Sequence, residues 1–182
     1  ASMNVGTAVL TATGGFTING IADGDSVIGS GGDTDLGALT LKATNANTTA
    51  SLTLDNSAAS SAGGGMDAGA TSTTNIQTLN LTSEGGNLDV DLSNGRFGDD
   101  GDAQEIDLNG GSDLETVNID GDTRLDVDAE SANSNLTTID ASGASAAVNI
   151  TTIDDVERTI TGGAGDDVIN AGTSDGGSNN KD

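Results

Sequence analysis

The chain has no cysteine, histidine, proline, tryptophan or tyrosine, and only two phenylalanines among its 182 residues. Without thiol or imidazole, disulfide frameworks, zinc sites and Cys- or His-based nucleophiles are excluded. Cations are almost as scarce. Lys42, Arg96, Arg124, Arg158 and Lys181 are the only bases, set against 29 acids, for a net charge of −24. Five bases cannot neutralise a phosphate track, which argues against nucleic acid; the same field disfavours an anionic membrane surface. No run of about 18 apolar residues is present, so no transmembrane helix is expected, and no basic n-region of a signal peptide opens the sequence. The "ASM" opening reads as a processed end, pointing to a piece of something longer.

What is abundant is aspartate: 24 of the acids are Asp and five are Glu. A merely solubilising surface would mix the two. Asp is the shorter ligand, tolerates left-handed backbone and bonds its own turn, so the bias favours turns and oxygen-ligand cation sites. Val, Ile, Leu and Phe number 36, just under the roughly 20% below which a highly charged chain is expected to be disordered. They are not scattered, however, and disorder is expected only where counter-charge is missing.

The apolar residues recur in one phrase: apolar, two others, apolar, one polar, apolar. It reads "LGALTL" from 36, "IQTLNL" from 76, "LETVNI" from 114, "LTTIDA" from 136 and, more weakly, "VERTIT" from 156. A second alternating strand is expected after each: "SLTL" (51–54), "LDVDL" (88–92), "LDVD" (125–128), "VNI" (148–150) and "VI" (168–169). The first two intervals are about twice the last two, which are about 20 residues; a skipped copy fits each gap, with "EIDLN" (105–109) as a remnant. A 20-residue period with two short strands per unit is a solenoid signature. No window keeps a helical stripe, and 28 Gly oppose one. A β-sandwich is the rival, but it calls for longer strands and core aromatics. The expected fold is all-β: a single elongated right-handed parallel β-helix or β-roll-like solenoid over 1–182. It has an irregular N-terminal part (1–35) and loop excursions at 55–75 and 93–105.

Near the C-terminus, "TITGGAGDDVINAG" loads a turn lacking bulky side chains with two like charges. Residues 162–170, "GGAGDDVIN", match the nonapeptide G-G-x-G-x-D-x-U-x, U being large and apolar. This resembles the repeats-in-toxin (RTX) family of secreted bacterial proteins, in which successive turns sandwich calcium. The resemblance implies that Asp167 supplies carboxylate oxygen beside Asp166, that carbonyls of Gly162 and Ala164 complete the shell, and that Ile169 points inward. Glycines would give the positive φ angles that turn carbonyls toward a common point. The bland alternative is an ordinary Gly–Asp surface turn.

A stacked turn must supply the other half of such a site. Asp175 in "AGTSDGGSN", and Asp120 and Asp122 in "DGD", together with "DASGAS" (140–145), are the neighbouring candidates. "GIADGDSVI" (20–28) offers Asp23 and Asp25, with Asp23 where the motif wants glycine, and Asp33 and Asp35 crowd beside it. Asp99, Asp100 and Asp102 in "GDDGD" form a third candidate or a solvated acidic loop. Asp89 and Asp126 lie between inward apolar residues, so both should face out and repel if stacked, at about a kcal/mol across 5 Å.

The low-aromatic coils, in the style "TVNI…LDV…TIDASG" over most of 36–170, are similar to repeat regions of bacterial S-layer proteins and type I-secreted surface adhesins. That resemblance implies a secreted, cell-surface structural protein, folded by several Ca²⁺ ions and self-associating into a lattice or filament. Cell-surface polysaccharide is a further partner, and neither membrane insertion nor enzymatic activity is expected. A lyase or epimerase would need a base near the sugar, and only five are offered. A Thr-ladder adhesin is the third class. Thr40, Thr53 and Thr78 read as ordinary strand formers, and only a flat outward Thr array would favour that class.

Overall fold

The computed structural model describes residues 7–10, 15–30, 36–57, 67–85, 104–108, 111, 113–129, 135–152 and 157–171. Among these described residues, short alternating segments, rich in Thr, Val, Ile and Leu, form fourteen strands and no helix. They are β1 (Thr7–Leu10), β2 (Phe16–Ile21), β3 (Ser26–Ser30), β4 (Leu39–Ala43), β5 (Thr48–Asp55), β6 (Asp67–Thr74), β7 (Ile76–Glu84), β8 (Gln104–Leu108), β9 (Thr116–Gly121), β10 (Leu125–Ala129), β11 (Thr138–Ala144), β12 (Val148–Thr152), β13 (Thr159–Thr161) and β14 (Val168–Asn170). Odd strands build one seven-stranded sheet and even strands the other, in the orders β1-β3-β5-β7-β9-β11-β13 and β14-β12-β10-β8-β6-β4-β2. Every pairing is parallel. The chain is thus a parallel β-helix or β-roll-like solenoid of seven two-strand coils, about 34 Å along its axis at the usual 4.8 Å spacing.

Alternation sets which side chains face in. Along β5 every second residue, Thr48, Ala50, Leu52 and Leu54, is buried and the rest are half-buried. Register then stacks like on like. Ala50, Leu79, Val117, Ile139 and Ile160 form one inward column, and Ile106, Val127, Ile150 and Ile169 another. The inward residues of both sheets join a single cluster. Burying a Leu, Ile or Val is worth about 1.5–3 kcal/mol, so aliphatic columns can hold the fold without aromatics.

Several sequence expectations need correction. "LGALTL" leads into β4, on the even sheet, whereas "IQTLNL", "LETVNI" and "LTTIDA" belong to the odd sheet. "SLTL" is the core of β5, which follows β4 after a turn as expected, but it lies on the odd sheet stacked on β7, so this copy is offset by one strand from the others. No copy is skipped between 76 and 114, because β7 and β9 are direct neighbours. "EIDL" is β8, the second strand of that one long coil. Coils accept insertions at their corners while their strands still pair, so equal intervals in the sequence do not mark equal coils.

Within the N-terminal part, expected to be irregular, the described strands β1, β2 and β3 pair in the same two sheets, with a register shift between Asn19 and Ile21. The excursion at 55–75 is narrower than expected: Asp55 ends β5 and Asp67–Thr74 form β6. That strand was hidden because its inward positions hold Ala68, Thr71 and Thr73 instead of large aliphatics. Gln104 and Glu105, assigned to the second excursion, belong to β8. "LDVDL", with Asp89, lies outside the described residues.

The Thr73 hydroxyl exposes a weak point in β6. It is buried, has no hydrogen-bond partner, and packs against Gly111, where any Cβ would overlap it. An orphaned buried hydroxyl costs about 1–3 kcal/mol. Thr73→Val, nearly the same shape, is expected to raise stability by about 1 kcal/mol in urea unfolding at unchanged slope. A loss of stability would mean the hydroxyl has a partner after all.

Candidate metal centre

Turns linking odd to even strands stack along one corner of the solenoid. Ser145 N–H donates to the Gly121 carbonyl (2.8 Å), and Ala164 N–H to the Ala144 carbonyl (2.9 Å). The turns at 120–122, 140–145 and 162–167 therefore lie on successive coils. Gly121 adopts φ 124°, and a Cβ there would strike the Ser83 carbonyl one coil below.

Asp167 closes the last of these turns. Its Oδ2 accepts from Gly163 N–H at 2.6 Å and its Oδ1 from Val148 N–H at 2.9 Å. One carboxylate thus shapes its own turn and ties it to the coil beneath. The flanking glycines serve closeness and not left-handed backbone, contrary to the expectation of positive φ: none of Gly162, Gly163 and Gly165 has a φ in that region. A Cβ on Gly163 would lie 2.6 Å from the Ala144 carbonyl, and one on Gly165 would overlap the Ala147 backbone. Ala164 and Asp166 are exposed. Ile169, expected to point inward, occupies an inward column but is 44% exposed because the column ends there.

Asp23 and Asp25 lie on the opposite corner, between β2 and β3. Asp25 is buried and its Oδ2 accepts from Ala22 N–H (2.9 Å); Asp23 Oδ1 accepts from Thr49 N–H on the next coil (2.9 Å). On this corner Asn47 and Asn75 take positive φ, and Asp113 Oδ2 accepts from Asn75 N–H (3.0 Å). Asp55, Asp120 and Asp140 likewise accept from Ser57, Gly121 and Ser142 N–H. Among the described residues, seven aspartates therefore serve as acceptors for main-chain amides at turns. The Ser142 amide, with a smaller part from its hydroxyl, holds the Asp140 carboxyl below the usual carboxylate range, against a small opposing effect of burial. Asp122 Oδ1 instead accepts from Thr123 Oγ1 at 3.2 Å.

Calcium wants six to eight oxygens. The turn 162–167 offers the Asp167 carboxylate, already holding two amides, with exposed Asp166 beside it. The turn beneath, 140–145, carries Asp140 alone, which already accepts from Ser142 N–H, and Asp120 and Asp122 stand one coil further down. Among the described residues no three acidic side chains come together to hold a metal. These turns, taken alone, do not fit a two-turn calcium shell. Asp33, Asp35, Asp99, Asp100, Asp102 and Asp175 lie outside the described residues.

Two surface patterns escaped sequence reading. On the outer face of the odd sheet, Thr49, Thr78, Thr116, Thr138 and Thr159 stand in one register column. Beside it run Ser51, Asn80, Asn118, Asp140 and Thr161, with Asn118 Nδ2 donating to Asn80 Oδ1 at 2.9 Å. Thr53 and Thr82 pair on the same face, while Thr40 stacks with Thr17 and Ser72 on the even sheet. Unequal coil lengths hide this ladder in the sequence. On the even sheet Asp107 registers with Asp128, and Asp126 with Glu105 on one side and Asn149 on the other. Asn149 Nδ2 donates to Asp126 Oδ2 at 3.1 Å, so Asp126 does not face a stacked aspartate from that coil.

Hydrogen bonds to a charged acceptor are worth about 1.5–3 kcal/mol each, less where solvent reaches them. Asp167→Ala removes two and is expected to cost about 2 kcal/mol in chemical denaturation; Asp167→Asn, which keeps one acceptor oxygen, should cost about half. A neutral Asp167→Ala would show that the carboxylate does not brace the last coil.

No family model, no curated protein and no solved structure matches the chain.

Proposed function

We propose that this chain is a structural segment of an extracellular bacterial surface assembly, whose solenoid is stabilised by calcium and self-associates outside the cell. The observation that carries this reading is the registration of Asp107 on Asp128 in neighbouring strands of a −24 chain. Two unit charges about 5 Å apart repel by about a kcal/mol even in water, and a chain with 29 acids has only five bases of its own that could offset its charge. Divalent counter-ions would, and whatever binds only the folded state stabilises it. In calcium-poor cytosol the coils would then be weakly held, and export would favour folding. The RTX-like phrase at 162–170 favours calcium as the ion; its own turn offers only Asp167 and Asp166, so the remaining oxygens would have to come from outside the described turns.

Thermal melting followed by circular dichroism tests this. Millimolar calcium is expected to raise the midpoint well beyond sodium chloride of equal ionic strength, and Asp107→Asn with Asp128→Asn should shrink the difference. Identical melting in calcium and in excess chelator would sink the reading.

The threonine column favours a second reading, a surface-binding adhesin face for polysaccharide. Hydroxyls repeat there about every 4.8 Å along one parallel sheet. Thr78→Lys with Thr116→Lys is expected to abolish co-sedimentation with insoluble cell-wall polysaccharide while leaving the melting curve in place. Unchanged co-sedimentation would remove this reading.

A further inference from the structure

Both sheets end at the same two coils, β1 with β2 and β13 with β14. Within the described residues each of these four strands pairs on one side only, leaving a row of main-chain N–H and C=O groups on the other. Such edges template further pairing unless charge or proline blunts them. Here the four strands read TAVL, FTINGI, TIT and VIN, without a single charged residue in a chain of net charge −24. The end strands thus add no charge of their own to a docking edge, although Glu157, Asp166 and Asp167 stand beside β13 and β14 in the last coil.

Apolar surface concentrates at the same places. Among the described residues the exposed large hydrophobics are Val9, Val168 and Ile169, on β1 and β14. Ile160 and Ile169 continue two inward columns that stop at the last coil. Repeat proteins that stay single close their ends with a polar cap. Because all strands run parallel, the two ends are complementary and not identical: one accepts a following coil and the other a preceding one. Joining them is a heterologous contact that repeats without closing.

We propose that a second copy of this chain docks coil upon coil, the β13/β14 edge of one against the β1/β2 edge of the next, building an unbranched filament. The proposal rests on the assembly reading above and gives it an interface. The register predicts the contact. The column Thr7, Ser26, Ser51, Asn80, Asn118, Asp140, Thr161 runs the length of the odd sheet, so Thr161 of one copy meets Thr7 of the next.

The chain has no cysteine, so a disulfide can report that meeting. Parallel neighbours lie about 4.8 Å apart, within the roughly 4.4–6.8 Å Cα range of a disulfide. Thr7→Cys with Thr161→Cys, oxidised in millimolar calcium, is expected to give a ladder of covalent multimers on a non-reducing gel; Thr53→Cys with Thr161→Cys should not. Val9→Lys with Ile169→Lys should weaken association at least 100-fold in sedimentation velocity, and micrographs of the unaltered protein should show threads with a subunit repeat of about 34 Å. If the lysine variant loses its β signal, the cysteine ladder alone decides. An unaltered protein that assembles with no ladder, and with the lysine variant still assembling, refutes the end contact and spares self-association. A folded monomer at high concentration, its ends covered by its own flanking residues, refutes both.

Discussion

Everything in this molecule follows from coil-on-coil register. Each side chain sits about one strand spacing above an equivalent on the previous coil, so any favourable self-pair is multiplied along the axis and any unfavourable one is too. Leu on Leu and Ile on Val multiply well, and they build the core without a single Trp or Tyr. Thr on Thr multiplies tolerably, since the branched side chain suits a pleated surface. Asp on Asp does not multiply so well, and the register brings Asp107 beside Asp128.

Register also needs corners that hold still, and here aspartate takes the part that larger side chains play elsewhere. A short carboxylate reaches one or two main-chain amides in a tight turn, whereas a glutamate, one methylene longer, fits less well. Asp167 binds its own turn to the coil below, and Asp23 reaches the coil that follows. Among the described residues, then, part of the excess of Asp over Glu meets a demand of backbone amides. Cation chemistry and amide capping draw on the same residue type, and a residue count cannot separate them.

That overlap explains what was legible in the sequence. The solenoid was, because alternation in "TVNI", "LDVD" and "TIDA" is a local property. Coil boundaries were not: insertions at corners change the interval between copies without disturbing register, so β8 passed for a remnant and β6, with only Ala and Thr facing inward, passed for a loop. The threonine column was invisible for the same reason, since its members stand at unequal intervals in the sequence. At the candidate centre the sequence singled out Asp167 and its stacked neighbours. It could not show that main-chain amides already occupy that carboxylate, because those donors come from the fold.

The hydrogen bonds between coils run along the axis, which makes the solenoid a set of links in series under tension. A pull on its two ends loads every coil boundary equally, so the boundary with fewest bonds yields first. β5 and β7 register over eight residue pairs, but β11 with β13 and β12 with β14 over only three each. The last coil is thus the mechanical fuse: it would peel away and leave six coils intact, letting the rod shed force at one end without coming apart.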